Sequence, residues 1–214
     1  VPHRNPYADA PRLPEGADLD PRRILGSGPL PVELEIGCGR GGFIQERLAA
    51  EPDCRVLGLE VRLKWAAIVD GRLAKQGLSA RGRVFAEDAR FALPRLKGAS
   101  LRAVFVHFPD PWWKKRHQKR RVVTPELLRE VVRLLVPGGE FFLQTDVPDR
   151  AAAVEALAAS EPLLAPYGDP GGEGEAPSAR VRENPYGAMS PRERRAVADG
   201  LPIVRLRYRR LGPP

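Results

Sequence analysis

Cysteine is scarce in this chain of 214 residues: Cys38 and Cys54 are the only two. Two isolated thiols exclude a secreted disulfide framework and a cysteine zinc cluster. The three histidines, His3, His107 and His117, show no ligand spacing, so no metal site is expected. Long apolar runs are missing too. No stretch approaches about 18 consecutive apolar residues, and the opening VPHRNPYADAP has no hydrophobic signal core. These absences predict a soluble, unexported protein of the reducing cytoplasm with no membrane partner. The chain does not open on Met, which predicts a processed or trimmed start. Lysine is rare, six in all, yet Lys114, Lys115 and Lys119 fall in one short stretch. Acidic residues are absent between Asp110 and Glu126, so the charges of Lys114, Lys115, Arg116, Lys119, Arg120 and Arg121 have no local counter-ion. Such a concentration favours phosphate as partner.

The formal net charge is +8 and the sequence pI near 10.0. The length suits one domain with a sizeable core. Residues 1–30, rich in proline (Pro2, Pro6, Pro11, Pro14, Pro21, Pro29), disfavour regular elements and read as an extended arm. From residue 31 the pattern changes to short β-branched or aromatic runs at 32–36, 55–60, 83–88, 101–108 and 139–146, each followed by a turn signal. Helical patterns lie between them at 42–50, 62–77, 89–97 and 124–135, the last with Thr124 as cap, Pro125 at its first position and Gly138 and Gly139 to stop it. Alternating strand and helix predict an α/β fold with a parallel sheet covered on both faces and a ligand site at the carboxyl ends of the strands. Residues 166–189 read as a long loop, and 202–210 as a late strand pairing antiparallel at the sheet edge.

The segment ELEIGCGRGGFI sets Gly37, Gly39, Gly41 and Gly42 between the first strand and the first helix. Glycines there allow a tight turn and close approach of a ligand to the backbone. Gly37, Gly39 and Gly42 also satisfy the dinucleotide pattern, so the neighbouring charges must separate the ligands. Glu35 beside the loop would repel a pyrophosphate and attract a cationic ammonium or sulfonium group, which favours S-adenosylmethionine over NAD. Glu60, ending the second strand, suits ribose hydroxyls, and Asp88, read as ending the third, suits an adenine amino group. Strand ends expose charges routinely, so it is the conjunction of three acids that carries weight. Cys38 reads as a small residue filling the turn and Cys54 as a core residue.

With FPDPWWKKRHQKRR at Phe108–Arg121, Glu87–Ala89, and Thr145–Asp146 in the same order and spacing, the chain resembles the bacterial tRNA (guanine-N7)-methyltransferase family from about residue 32 to 210. The glycine motif is common to many methyltransferases, whereas the FPDPW segment with its basic tail is specific. The resemblance implies a Rossmann-like class I S-adenosylmethionine-dependent methyltransferase fold, with residues 31–214 as a single domain. The implied reaction is methyl transfer to N7 of guanine in tRNA, at the variable-loop guanine, position 46, by a monomer or homodimer. By position, Glu35, Gly37, Gly39, Glu60, Asp88 and Asp110 are implied cofactor-site residues, and Asp110 the catalytic one. Lys114, Asp146, Ser190 and Glu193 are implied substrate contacts, and Arg116, His117, Gln118, Lys119, Arg120 and Arg121 a tRNA-binding run. The family has Thr-x-x-Glu with an aromatic before the Glu, where this chain has Ser190, Pro191, Arg192 and Glu193; Glu87 stands where the family often has Asn.

The residue types suit that chemistry independently. Guanine N7 carries a lone pair and no proton, so transfer needs no base, while carboxylates would stabilise the charge gained by the ring. Asp146 and Glu193 would accept from N1–H and the exocyclic amine, a donor pair adenine lacks. Asp110 therefore reads as an orienting, electrostatic group. Taken alone, the basic run is more simply a solvated face, at least one of Trp112 and Trp113 a structural anchor, and His107 a packing residue at a strand end. Three alternatives stay open. One is an amino methyltransferase, whose D-P-P-aromatic loop DPW resembles only superficially; the others are an RNA-binding protein without catalysis and an NAD-dependent oxidoreductase.

Overall fold

The computed structural model describes residues 5–109, 123–170 and 176–212. Five strands, β1 (Val32–Ile36), β2 (Arg55–Leu59), β3 (Gly82–Phe85), β4 (Leu101–His107) and β5 (Leu135–Thr145), run parallel. Two more, β6 (Leu164–Pro166) and β7 (Val204–Arg210), complete one sheet in the order β3-β2-β1-β4-β5-β7-β6. The late strand β7 is antiparallel to β5, as expected, but β6 pairs on its far side and forms the edge.

Buried parallel strands are apolar on both faces, and alternate residues of β4 feed two cores. Val104 and Val106 pack with Leu34, Phe141, Leu143 and the helix α5 (Pro125–Leu134). Ala103 and Phe105 pack on the opposite face with Phe142 and with Phe43 of α2 (Gly42–Ala50). Beside them, α2 and α3 (Leu63–Lys75) cover β2 and β3 through Ile44, Leu48, Ala66, Val69 and Leu73. The hydroxyl oxygen of Thr124 accepts from the Leu127 N–H at 3.2 Å and Pro125 opens α5, as the sequence signals. Gly138 and Gly139 do not form a stop after a helix; they lie inside β5, which begins directly at Leu135.

Several elements depart from the sequence reading. β3 ends at Phe85, and Asp88 is the N-cap of α4 (Ala89–Ala92). That helix tightens into a 3-10 turn at Leu93–Arg95, because Pro94 cannot donate a helical hydrogen bond. α6 (Pro148–Ala159) and α7 (Pro191–Ala198) add two helices.

Between Asn5 and Leu30 the only regular element is α1 (Pro21–Ile24), and the stretch is docked on the domain. The Ala86 N–H donates to the Pro11 carbonyl at 2.7 Å, and the Leu13 N–H to the Glu87 carboxylate at 3.2 Å. Leu13 and Leu25 enter the main core. The guanidinium of Arg55, at the start of β2, donates to the carbonyls of Leu30, Gly28 and Arg22 and gathers the stretch onto the sheet. Among the described residues no helix is long and apolar enough to cross a membrane.

Candidate active site

The strand order reverses between β1 and β4, and outside the carboxyl ends of the strands at such a point is where ligands bind in open α/β sheets. The loop leaving β1 turns there with left-handed backbone at Gly37 (φ 79°) and Gly39 (φ 53°), angles that disfavour any side chain. A Cβ built on Gly37 would meet no atom within 4 Å, so the loop's outer side is open to a ligand. Glu60, just past β2, is buried beside it. Its carboxylate accepts from the Gly39 N–H at 2.8 Å and from Arg62 through the backbone N–H at 3.0 Å and Nε at 3.1 Å.

Glu35, at the end of β1, is buried, and its Oε2 has no hydrogen-bond partner among the described residues. Burial, reinforced by the neighbouring charge of Glu60, pushes its pKa up to about 8, against a partial lowering by the Ile44 N–H. A buried carboxylate with one oxygen left without a partner among the described residues, beside an open glycine loop, fits a cationic donor such as the ammonium of S-adenosylmethionine. Asp88 is not at a strand end as expected; as the N-cap of α4 its carboxylate takes the Arg90 N–H at 3.0 Å. The Arg90 side chain holds that carboxyl below its ordinary pKa. Val61, directly after Glu60, and Phe91, three residues after Asp88, are 65% and 70% exposed. These apolar surfaces beside two acids suit a flat base, and the sequence reading passed over both. For Val61 the available signal was a large apolar residue immediately following a strand-end acid; Phe91, inside α4, carried no such signal. Cys38 is buried in the loop as expected, its Sγ filling the space over β2 that a Cβ on Gly58 would occupy; Cys54 is buried in the core.

At the ends of β4 and β5 a polar chain crosses the sheet. His107 is buried against Phe43, with ring centroids 4.1 Å apart. Burial pulls its pKa down to about 3, so the ring is neutral. The Gln144 amide nitrogen donates to His107 Nδ1 at 2.9 Å and to Glu193 Oε2 at 2.7 Å, which fixes the proton on Nε2. Phe108, next in the chain, adopts φ 47° immediately before Pro109 and donates its N–H to the Gln144 carbonyl at 2.7 Å. A bulky residue with left-handed backbone before proline is strained twice over. That strain sits at the exit of β4, where functional segments commonly store it. Asp110, Lys114, Arg116, His117, Gln118, Lys119, Arg120 and Arg121, which follow, lie outside the described residues.

The sequence reading pointed Asp146 and Glu193 at one base, and the structure separates them. Glu193 is 0% exposed. Its carboxylate accepts from Gln144, from Asn184 Nδ2 at 3.0 Å, and from Arg205 at 3.1 and 3.3 Å. Its hydrogen-bonding capacity is taken up inside the protein, so Glu193 fastens α7 to β5 and β7 rather than facing a ligand. Ser190 is the N-cap of α7, its hydroxyl oxygen accepting from the Glu193 N–H at 3.1 Å. Asp146, just past β5, keeps a side chain 17% exposed and pairs with Arg192 of α7. The first turn of α7 also rests on α2. A Cβ on Gly42 would come within 2.7 Å of the Pro191 ring, and Glu46 of α2 accepts from the Met189 N–H at 2.9 Å and pairs with Arg194. The helix after the glycine loop and the segment beside Asp146 are thus in direct contact.

A sheet of order 3-2-1-4-5-7-6 with β7 reversed, a left-handed glycine loop after β1 and acids at the ends of β1 and β2 define a class I S-adenosylmethionine-dependent methyltransferase. Solved structures with this fold include the 16S rRNA methyltransferase KamB (TM-score 0.60, 18% identity, 95% of this chain and 98% of that one). Another is a SAM-dependent O-methyltransferase from Thermotoga maritima (TM-score 0.53, 16% identity, 86% and 60%). A family model described as "Putative methyltransferase" matches residues 29–204. The tRNA (guanine-N(7)-)-methyltransferase of Myxococcus xanthus (strain DK1622) is 40% identical over 83% of this chain and 82% of its own length. That of Synechococcus sp. (strain WH7803) is 36% identical over 99% and 88%. The chain belongs to the tRNA (guanine-N7)-methyltransferase family, and S-adenosylmethionine is its methyl donor.

Proposed function

We propose that the protein transfers a methyl group to N7 of guanine in tRNA, at the variable-loop guanine, position 46. The observation that carries this reading is the set of acids at the carboxyl ends of β1, β2 and β5, with Glu35 Oε2 left without a partner among the described residues and Asp146 held by Arg192. Bound at the glycine loop, S-adenosylmethionine supplies an electrophilic methyl group on a sulfonium. Glu35 holds the ammonium end, Glu60 the ribose hydroxyls and Asp88 the adenine amine, with Gly37 and Gly39 giving the close backbone approach. Asp146 accepts from guanine N1–H and the exocyclic amine, and Glu193 and Ser190 hold the segment beside it.

The N7 lone pair forms the new N–C bond as the S–C bond breaks, with that electron pair staying on sulfur. No proton leaves N7, so the purine becomes positive and the carboxylates stabilise that charge. Asp110, carried on the segment leaving β4, orients the reacting groups and adds to that field; Lys114 reaches the guanine nucleotide and Arg116–Arg121 hold the tRNA backbone. The test is nucleoside mass spectrometry of unmodified tRNA after incubation with the protein and S-adenosylmethionine. N7-methylguanosine is expected from the native chain and none from Asp110→Ala; undiminished product from that variant would remove Asp110 from the mechanism.

A further inference from the structure

Asp146 leaves β5 with its side chain largely enclosed, and the partner the structure gives its carboxylate is Arg192. Arg192 itself has little freedom of placement. Ser190 caps α7 two residues before it, Pro191 rests on Gly42, and Glu193 directly after it is buried under four donor contacts. The backbone on both sides of Arg192 is therefore fixed, while its half-exposed guanidinium reaches across to β5.

We propose that Arg192 is a positioning residue for substrate recognition: it sets the orientation in which the Asp146 carboxylate meets the N1–H and exocyclic amine of guanine. A carboxylate offers about four lone-pair sites. The Arg192 contact is to Oδ2, which leaves Oδ1 and the remaining lone pair of Oδ2 for two parallel donors lying in one plane. Adenine presents an acceptor at N1 and cannot supply that pair, so discrimination depends on the plane in which the carboxylate is held. The Nη2 contact pins Oδ2 and so limits how the carboxylate can rotate, and the ammonium of a lysine would not place its donor at that point. This inference rests on reading Asp146 as the guanine contact.

The experiment is a double-mutant cycle on tRNA methylation with Arg192→Ala, Arg192→Gln, Asp146→Ala and the doubles, each checked by thermal melting and by calorimetric titration with S-adenosylmethionine. Each Arg192 variant is expected to lose about tenfold in kcat/KM for tRNA, the scale of a charge-assisted hydrogen bond, with cofactor affinity and melting unchanged. In the Asp146→Ala background the same change is expected to cost nothing further, because the residue it positions is gone. Arg192→Lys should recover only part of the loss. Multiplicative losses in the doubles would mean that Arg192 acts independently of Asp146, for example on a phosphate, and would overturn the proposal. Faster turnover in the Arg192 single variants would overturn it as well, by showing that the pair obstructs the site. Native rates in Asp146→Ala would remove the guanine reading of Asp146 itself, a different failure from additivity.

Discussion

A single unpartnered oxygen, Oε2 of Glu35, ties the cofactor site to pH. The pKa of Glu35 is raised from 4.5 to about 8 in the folded protein. The protonated carboxyl therefore favours the fold fully below about pH 4.5, and that contribution is lost as pH rises towards 8. An ammonium ligand favours the ionised form instead, so cofactor binding near neutral pH must displace the proton. Titrations with S-adenosylmethionine at pH 7 should release roughly one proton more from the native protein than from Glu35→Gln, read from apparent enthalpies in buffers of different ionisation heat. Equal proton release in the two proteins would show that Glu35 does not meet the cation. His107 is the contrasting case: buried without a countercharge among the described residues, it stays neutral across this range and acts through packing and the Gln144 hydrogen bond.

Whether an element was legible in the sequence depended on how local its signals are. β1, β2 and β4 were legible as short runs rich in Val, Leu, Ile and Phe, each followed by a turn signal, even though β1 carries Glu33 and Glu35 among its apolar residues; α5 was legible because Thr124–Pro125 opens an apolar stripe. α6 was not: its alanine-rich PDRAAAVEALAA has no strong polar face to set a period. The three-residue β6 is recognisable only through its pairing with β7. The placing of Glu35 and Glu60 beside the glycine loop was legible from their positions at strand ends; Asp88 as a helix cap was not. The burial of Glu193 was not, because nothing local marks a glutamate whose partners, Gln144 and Arg205, come from other strands. The docking of the proline-rich N-terminal stretch was equally non-local, since it depends on Arg55 reaching carbonyls that are remote in sequence. Arg55→Ala should lower folding stability by about 2–3 kcal/mol, the scale for buried hydrogen bonds from a charged group, in chemical denaturation. It should also expose the first thirty residues to limited proteolysis. Native stability and an unchanged digestion pattern would mean that the stretch is held by its apolar residues alone.

For the whole molecule, Glu35 and Glu60 lie at the ends of β1 and β2 and Asp146 with α7 at the end of β5, the two sides bridged where Pro191 meets Gly42. In the proposed function the basic residues after Asp110 hold the tRNA backbone. Replacing Lys119, Arg120 and Arg121 together should weaken tRNA binding and make the slope of log affinity against log salt shallower by roughly two to three. An unchanged slope would make this run a solvated surface. The proposed reaction is more specific: one guanine N7 in tRNA receives the methyl group. Its most direct measurement is to incubate the protein with labelled S-adenosylmethionine and an unmodified tRNA, then cleave the product chain at N7-methylated positions. A single cut is expected, at the variable-loop guanine, and it should disappear when this base is replaced; label on adenine, or a pattern indifferent to that replacement, would contradict methylation at that N7.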